Sequence, residues 1–149
     1  MLLGKETNWF NTFKEKIVMV KSYRIKFKAK RLDNGEWVEG DIIHKNNGVY
    51  VYNPQIVNKR GYSVQSIKVD PLTVCQFTGL KDCKGNKIWE HDLIHFVGYK
   101  PTAEVIWSED NYAFMVEASE NEHLYLLLGA LEIGKIERVD NKFNKESSV

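Results

Sequence analysis

An all-β fold follows from three features of this 149-residue chain. Apolar and polar residues alternate with period two, turn dipeptides separate the alternating runs, and the runs are short and evenly spaced. Asp33-Asn34-Gly35 and Asn46-Asn47-Gly48 are hairpin signals, because Asn and Gly tolerate positive φ. Lys84-Gly85-Asn86 is a third tight turn.

The elements follow in order. Tyr23, Ile25, Phe27 and Ala29 form one set, and Arg24, Lys26, Lys28 and Lys30 the other, which predicts a strand with one face in the core and one in water. Trp37, Val38, Ile42 and Ile43 make the next strand, with a bulge or bend expected at Gly40. Val49 to Tyr52 follows, ended by Asn53-Pro54, and Ser63 to Val69 is a further strand after an irregular loop. Asp70-Pro71 reads as the junction between two halves, and Val74 to Phe77 is a short extended piece. Beyond residue 88, strands are expected at Leu93–Val97, Ala103–Trp107, Tyr112–Val116, His123–Leu127 and Ile133–Val139. The run Leu126 to Leu131 has room for a single helical turn. These spacings predict two hairpin-rich subdomains, 23–74 and 75–140, the second an SH3-like, partly open barrel. Residues 141–149 are polar and expected to fray.

Residues 1–22 differ from the rest. Trp9, Phe10, Phe13 and Ile17 fall on one face of a short amphipathic helix. Lys14-Glu15-Lys16 is also what a purine-rich ribosome-binding sequence encodes when read in frame, and it lies just upstream of Met19. Met19 is therefore a second candidate for the native start.

Composition excludes several classes. Hydrophobic residues make up 43% and charged residues 28%, ordinary for a globular domain. The 21 Lys and Arg nearly balance 20 Asp and Glu, so no global polyanion-binding field is expected. No signal peptide or long apolar run is visible, and Cys75 and Cys83 are expected as reduced thiols in a cytosolic protein.

Several motifs are specific enough to suggest a family. They are Ile25-Lys26-Phe27-Lys28-Ala29, then Val74 to Leu80 running into Lys81-Asp82, then Gly85-x-Lys87-Ile88-Trp89-Glu90-x-Asp92-Leu93-Ile94. Glu104-Val105-Ile106-Trp107 and Ile133-Gly134 complete the set. From about Tyr23 to Val139 the chain resembles the YopX-like family. The resemblance implies an all-β fold and a phage or prophage origin, and it carries no catalytic residue, cofactor or metal to this chain. Two positions depart from the family pattern: His91 stands where Gly is usual, and Lys30 where an aromatic residue is typical.

Among candidate functional residues, the row Arg24, Lys26, Lys28 and Lys30, extended by Arg31, comes first. Alternate residues on a strand lie about 7 Å apart, a spacing that suits successive phosphates. The competing reading is a solubilising strand face. His91 and His95 are separated by about 13 Å if extended, too far to share a metal. Asp82, Glu90 and Asp92 fit turn stabilisation and solvation at the start of a strand better than acid–base chemistry. Trp37, Tyr50, Tyr52, Trp89, Trp107 and Tyr112 are expected mainly in the core, with Tyr50 and Tyr52 sharing a face.

No nucleophile motif or phosphate loop is present. The expected role is a non-enzymatic interaction module that binds a protein or associates with itself through an unpaired edge strand, with no membrane partner. The alternative is a small nucleic-acid-binding protein that uses the strand from Arg24 to Lys30.

Overall fold

The computed structural model describes residues 25–58, 60–63, 65–96, 99–118 and 124–147. The chain is all-β, built as two antiparallel sheets with short 3₁₀ turns. The expected N-terminal helix, the Met19 start, Tyr23 and Arg24 lie outside the described residues.

The first sheet has the order β4-β3-β2-β1-β5-β6. Its strands are β1 (Phe27–Lys30), β2 (Trp37–Lys45), β3 (Gly48–Tyr52), β4 (Ser66–Val69), β5 (Cys75–Lys81) and β6 (Lys87–Trp89). The hairpin turns fall where the sequence puts them. Gly35 has φ +73°, the left-handed region that its turn requires. Strand β2 is long enough to serve two partners. It pairs with β1 from Lys30↔Trp37 to Phe27↔Gly40, then with β3 from Asp41↔Tyr52 onwards. Gly40 is the point of transfer, and a Cβ there would lie 2.0 Å from the Tyr52 carbonyl oxygen. Close backbone approach at the corner, rather than an extra bulged residue, accounts for this glycine.

The far edge of β4 folds back onto the end of β1. Arg31 bridges to Val69, the Asp70 N–H donates to the Lys30 carbonyl at 2.8 Å, and the Leu32 N–H donates to the Lys68 carbonyl at 3.2 Å. Strands β1 to β4 therefore form a ring of hydrogen-bonded neighbours, which covers an edge that would otherwise be open. Ala29, Val38, Val51 and Val69 fill it.

The second sheet has the order β10-β9-β8-β7-β11. It comprises β7 (Asp92–Phe96), β8 (Tyr99–Ser108), β9 (Ala113–Ala118), β10 (Leu124–Leu127) and β11 (Ile136–Asn141). The helical turn expected within Leu126–Leu131 is a 3₁₀ turn at Leu128–Ala130, and a second follows at Ile133–Lys135. Ile94, Val105, Val116, Leu128 and Ile136 form the core, joined by Ile88 from β6.

The boundary between the sheets lies at Glu90-His91, not at residue 74 or 75, where the turn at Asp70-Pro71 and the strand spacing suggested a break. Strand β5 bonds to β1 through Phe27↔Gln76 and Lys28↔Cys75, and β6 pairs with β5. The β5–β6 hairpin thus belongs to the first sheet by hydrogen bonding, sends Ile88 and Leu80 into the second core, and places Phe77 and Trp89 in a third cluster with Cys75. Residues 141–144 correct the expectation of a frayed tail. Asn141 is buried, and the 3₁₀ turn Lys142–Ser147 packs Phe143 beside Phe77, Trp89 and Trp37.

Candidate functional site

The basic strand is the first site to place, and the structure corrects its expected exposure. Lys28 is only 5% exposed. Its ammonium lies 3.7 Å from the Asp92 carboxylate, and the rings of Trp37 and Trp89 flank it at 4.5 and 5.3 Å. Burial pushes the Lys28 pKa down, and the Asp92 charge opposes that shift. Ala29, on the opposite face of β1, is buried in the ring. Both faces of this strand are covered because the sheets meet on it, so period two marks two interiors rather than an interior and a surface. Ile25, expected inside, is 61% exposed.

The other members of the row are scattered. Lys26 is half-buried, and its carbonyl accepts the Phe77 N–H at 2.8 Å. Lys30 donates to the Phe143 carbonyl at 2.5 Å and lies over Trp37 at 5.6 Å. At this position, where the family favours an aromatic side chain, a lysine instead ties β1 to the C-terminal turn. Arg31 makes a two-point pair with Asp33 at 2.8 and 2.6 Å. Among the described residues, Lys26, Lys28, Lys30 and Arg31 form no continuous row of solvated cations.

Asp92 is fully buried, where the sequence suggested a solvated strand start. It accepts the Trp89 N–H at 2.8 Å and the Asn141 side-chain amide at 2.9 Å. Arg138 Nε approaches it at 2.9 Å but outside hydrogen-bond geometry, so this contact is ionic. Lys28 from the first sheet and Arg138 and Asn141 from the second thus converge on one carboxylate. Cys75 adjoins the cluster, its Sγ facing the Thr73 carbonyl at 3.3 Å, and burial pushes the thiol up to about 12. That thiol is unsuited to nucleophilic chemistry at neutral pH. Cys83 is exposed, and both cysteines are free thiols.

A second polar knot ties the turn after β5 to β11. The buried Asp82 carboxylate accepts from the backbone of Lys84, Asn86 and Arg138 at 2.8 to 3.0 Å and from the Asn86 side chain at 3.2 Å. Burial would raise its pKa, but these donors together hold it below the usual carboxylate range. Here the turn-stabilising role expected of Asp82 is realised.

His91 has φ +65°, the left-handed conformation for which the family's usual Gly is suited. Its N–H donates to the Val105 carbonyl at 2.7 Å and its own carbonyl accepts from Lys142 at 2.9 Å. Its Nδ1 lies 2.8 Å from Glu104 Oε1, and its ring meets Phe143 edge-on at 5.2 Å. The bond to His91, with a contribution from Lys142, holds Glu104 below the usual carboxylate range. His91 and His95 do not converge, since β7 carries His95 opposite Glu137 on β11.

Surface aromatics also differ from expectation. Trp89 is buried, and Trp37, Tyr50 and Tyr52 are half-buried, but Trp107 is exposed and Tyr112, at φ +50°, is 79% exposed. The more concentrated apolar surface is a groove of about 780 Å³ at the end of β1, lined by Leu32, Ile56, Val57 and Ile67 with Arg31 and Lys68 at its rim. Leu32 is 57% and Val57 58% exposed. Sequence reasoning missed it because Leu32 and Val57 lie in loops and belong to no periodic pattern.

Among the described residues, no helix is long and apolar enough to cross a membrane. No curated protein matches the chain. The family model for YopX protein matches residues 10–143, and so takes in Phe10, Phe13 and Ile17 together with both sheets and the ion cluster. The chain belongs to the YopX family.

Proposed function

We propose that this protein is a non-enzymatic, phage- or prophage-derived interaction module that acts in the bacterial cytoplasm by binding another polypeptide. The observation that carries the reading is the groove at Leu32, Val57 and Ile67, where two large apolar side chains stand more than half exposed. Apolar grooves rimmed by polar groups are typical of protein-docking surfaces. The dispersal of the basic row counts against the nucleic-acid reading, since Lys28 is committed to Asp92 and cannot neutralise a phosphate. The strand order β11-β7-β8-β9-β10, with 3₁₀ turns between β10 and β11, supports an SH3-like reading of the second sheet.

The first partner to test is a second copy of the chain. Light scattering after size exclusion is expected to give a dimer or larger oligomer for the parent and a monomer for Leu32→Asp/Val57→Asp. A parent that stays monomeric at high concentration would rule out self-association. An unchanged oligomer in the variant would remove the groove from the interface. Strand β10, the last in its sheet and uncharged over Leu124-Tyr125-Leu126-Leu127, would then be the edge to block with proline.

A further inference from the structure

We propose that the turn between β8 and β9, with the slot beside it, is a second docking surface. Its partner is a polypeptide segment that carries an aliphatic side chain next to an arginine or lysine. The slot shares no lining residue with the groove at Leu32, so the inference does not rest on the function proposed above.

The slot opens at the end of the second core. It holds about 290 Å³ and is lined by Thr78 and Leu80 of β5, Ala113 and Phe114 of β9, and Leu128 and Gly129. None of these residues is charged, and Leu80 and Phe114 rest on the buried core. Small-molecule pockets run from roughly 300 to 1,000 Å³, so this volume suits a single side chain better. Strand register carries the apolar floor out to the surface. Trp107 stands opposite Phe114 on the β8–β9 ladder, their rings meet edge-on at 5.1 Å, and Trp107 is 39% exposed.

Tyr112, which directly precedes Ala113, is the residue that neither packing nor backbone accounts for. It is 79% exposed and holds φ +50°, a conformation that favours Gly or Asn. An aromatic side chain that is both strained and in water points to recognition rather than to folding. The same turn supplies charge. Glu109 and Asp110 are exposed and make no ion pair among the described residues. Lys81, the cation nearest the slot in sequence, has a contact of its own, and Glu104 and Glu117 pair on the opposite face of the strands. Two carboxylates beside two exposed aromatic rings favour a cation and repel a nucleic acid, because ring faces and carboxylates both attract positive charge.

NMR titration of the isotope-labelled full chain with two capped peptides tests this, one alternating leucine with arginine and the other leucine with glutamate. Saturable amide shifts are expected at residues 107–114 and around the slot with the arginine peptide alone, and added salt should weaken them. Trp107→Ala and Glu109→Lys/Asp110→Lys should each weaken binding at least about fivefold. Tyr112→Asn should weaken it too while holding or raising the thermal midpoint, since Asn accommodates the positive φ. Leu32→Asp/Val57→Asp should bind like the parent, which separates this surface from the groove. The proposal is overturned by the lack of a saturable shift, by an equal response to both peptides, or by binding that the turn variants leave unchanged. Loss of binding in the Leu32→Asp/Val57→Asp variant would also overturn it, and a lowered midpoint in Tyr112→Asn would return Tyr112 to the fold and remove the turn from the surface.

Discussion

The junction between the sheets and the groove at the end of β1 invert the usual distribution of side chains. At the junction, Lys28 and Asp92 are buried together, with Asn141 and the Arg138 guanidinium closing on the same carboxylate. At the groove, Leu32 and Val57 stand in water although they are among the more apolar residues of their loops. Buried charges hold position only when they are paired and hydrogen-bonded, so the junction demands one geometry from both sheets. The exposed apolar pair is held by no such network, and the docking proposed above rests on it. Groups that fix the architecture can thus be polar, and groups left at the surface can be apolar.

The junction is most sensitive at Asp92. Asp92→Ala is expected to cost about 3–5 kcal/mol, because Lys28 and Arg138 would be left near one another without their carboxylate. Chemical denaturation would measure it. A loss below about 1 kcal/mol would mean that the cluster is not holding the sheets together. Asp82→Ala should cost less, about 2–3 kcal/mol, since it strands buried donors without unpairing a buried cation.

The depressed carboxylates add a pH signature. Asp82 and Glu104 have folded pKa values below their unfolded ones, so their stabilisation is complete above the unfolded carboxylate range and is lost as pH falls through the folded values. Midpoints measured from pH 7 down to pH 3 should decline for the parent, and more shallowly for Asp82→Ala. Parallel profiles would contradict the assignment.

His91→Gly sets two opposing terms against each other. Glycine removes the strain at φ +65° but loses the bond to Glu104 and the Phe143 ring contact. The net change is expected within about 1 kcal/mol of zero, accompanied by a rise in the Glu104 pKa that carbon-detected NMR titration would read. The smallest effect on stability belongs to the groove. Leu32→Asp/Val57→Asp should shift stability by no more than about 0.5 kcal/mol for each exposed site while altering association. A large destabilisation there would place Leu32 or Val57 in the fold rather than at its surface.

How much was legible in the sequence depended on the range of the interaction. Turns at Asp33-Asn34-Gly35, Asn46-Asn47 and Lys84-Gly85-Asn86 were readable because a few adjacent residues determine their φ values and side-chain bonds. The strands were readable because period two is local. Asp82 was read correctly as a turn residue, since its partners at Lys84 and Asn86 are close in the chain. Its bond to Arg138, at a separation of 56 residues, was not readable.

The placement of Lys28 shows where local reading ends. Alternation distinguishes two faces of β1 but does not say what covers each, and here the second face is covered by Asp92, Trp89 and Phe143 from far along the chain. The tail failed for the same reason: Phe143 and Asn144 are held by Lys30 and Trp37, more than a hundred residues away. By itself the sequence determined the all-β class, the turns and the family, because these depend on local backbone preference and on motif. The burial of Lys28, the membership of β5 and β6 in the first sheet, and the location of the apolar groove in loops are outcomes of the tertiary fold. Those outcomes depend on which distant segments meet, and no local pattern encodes that.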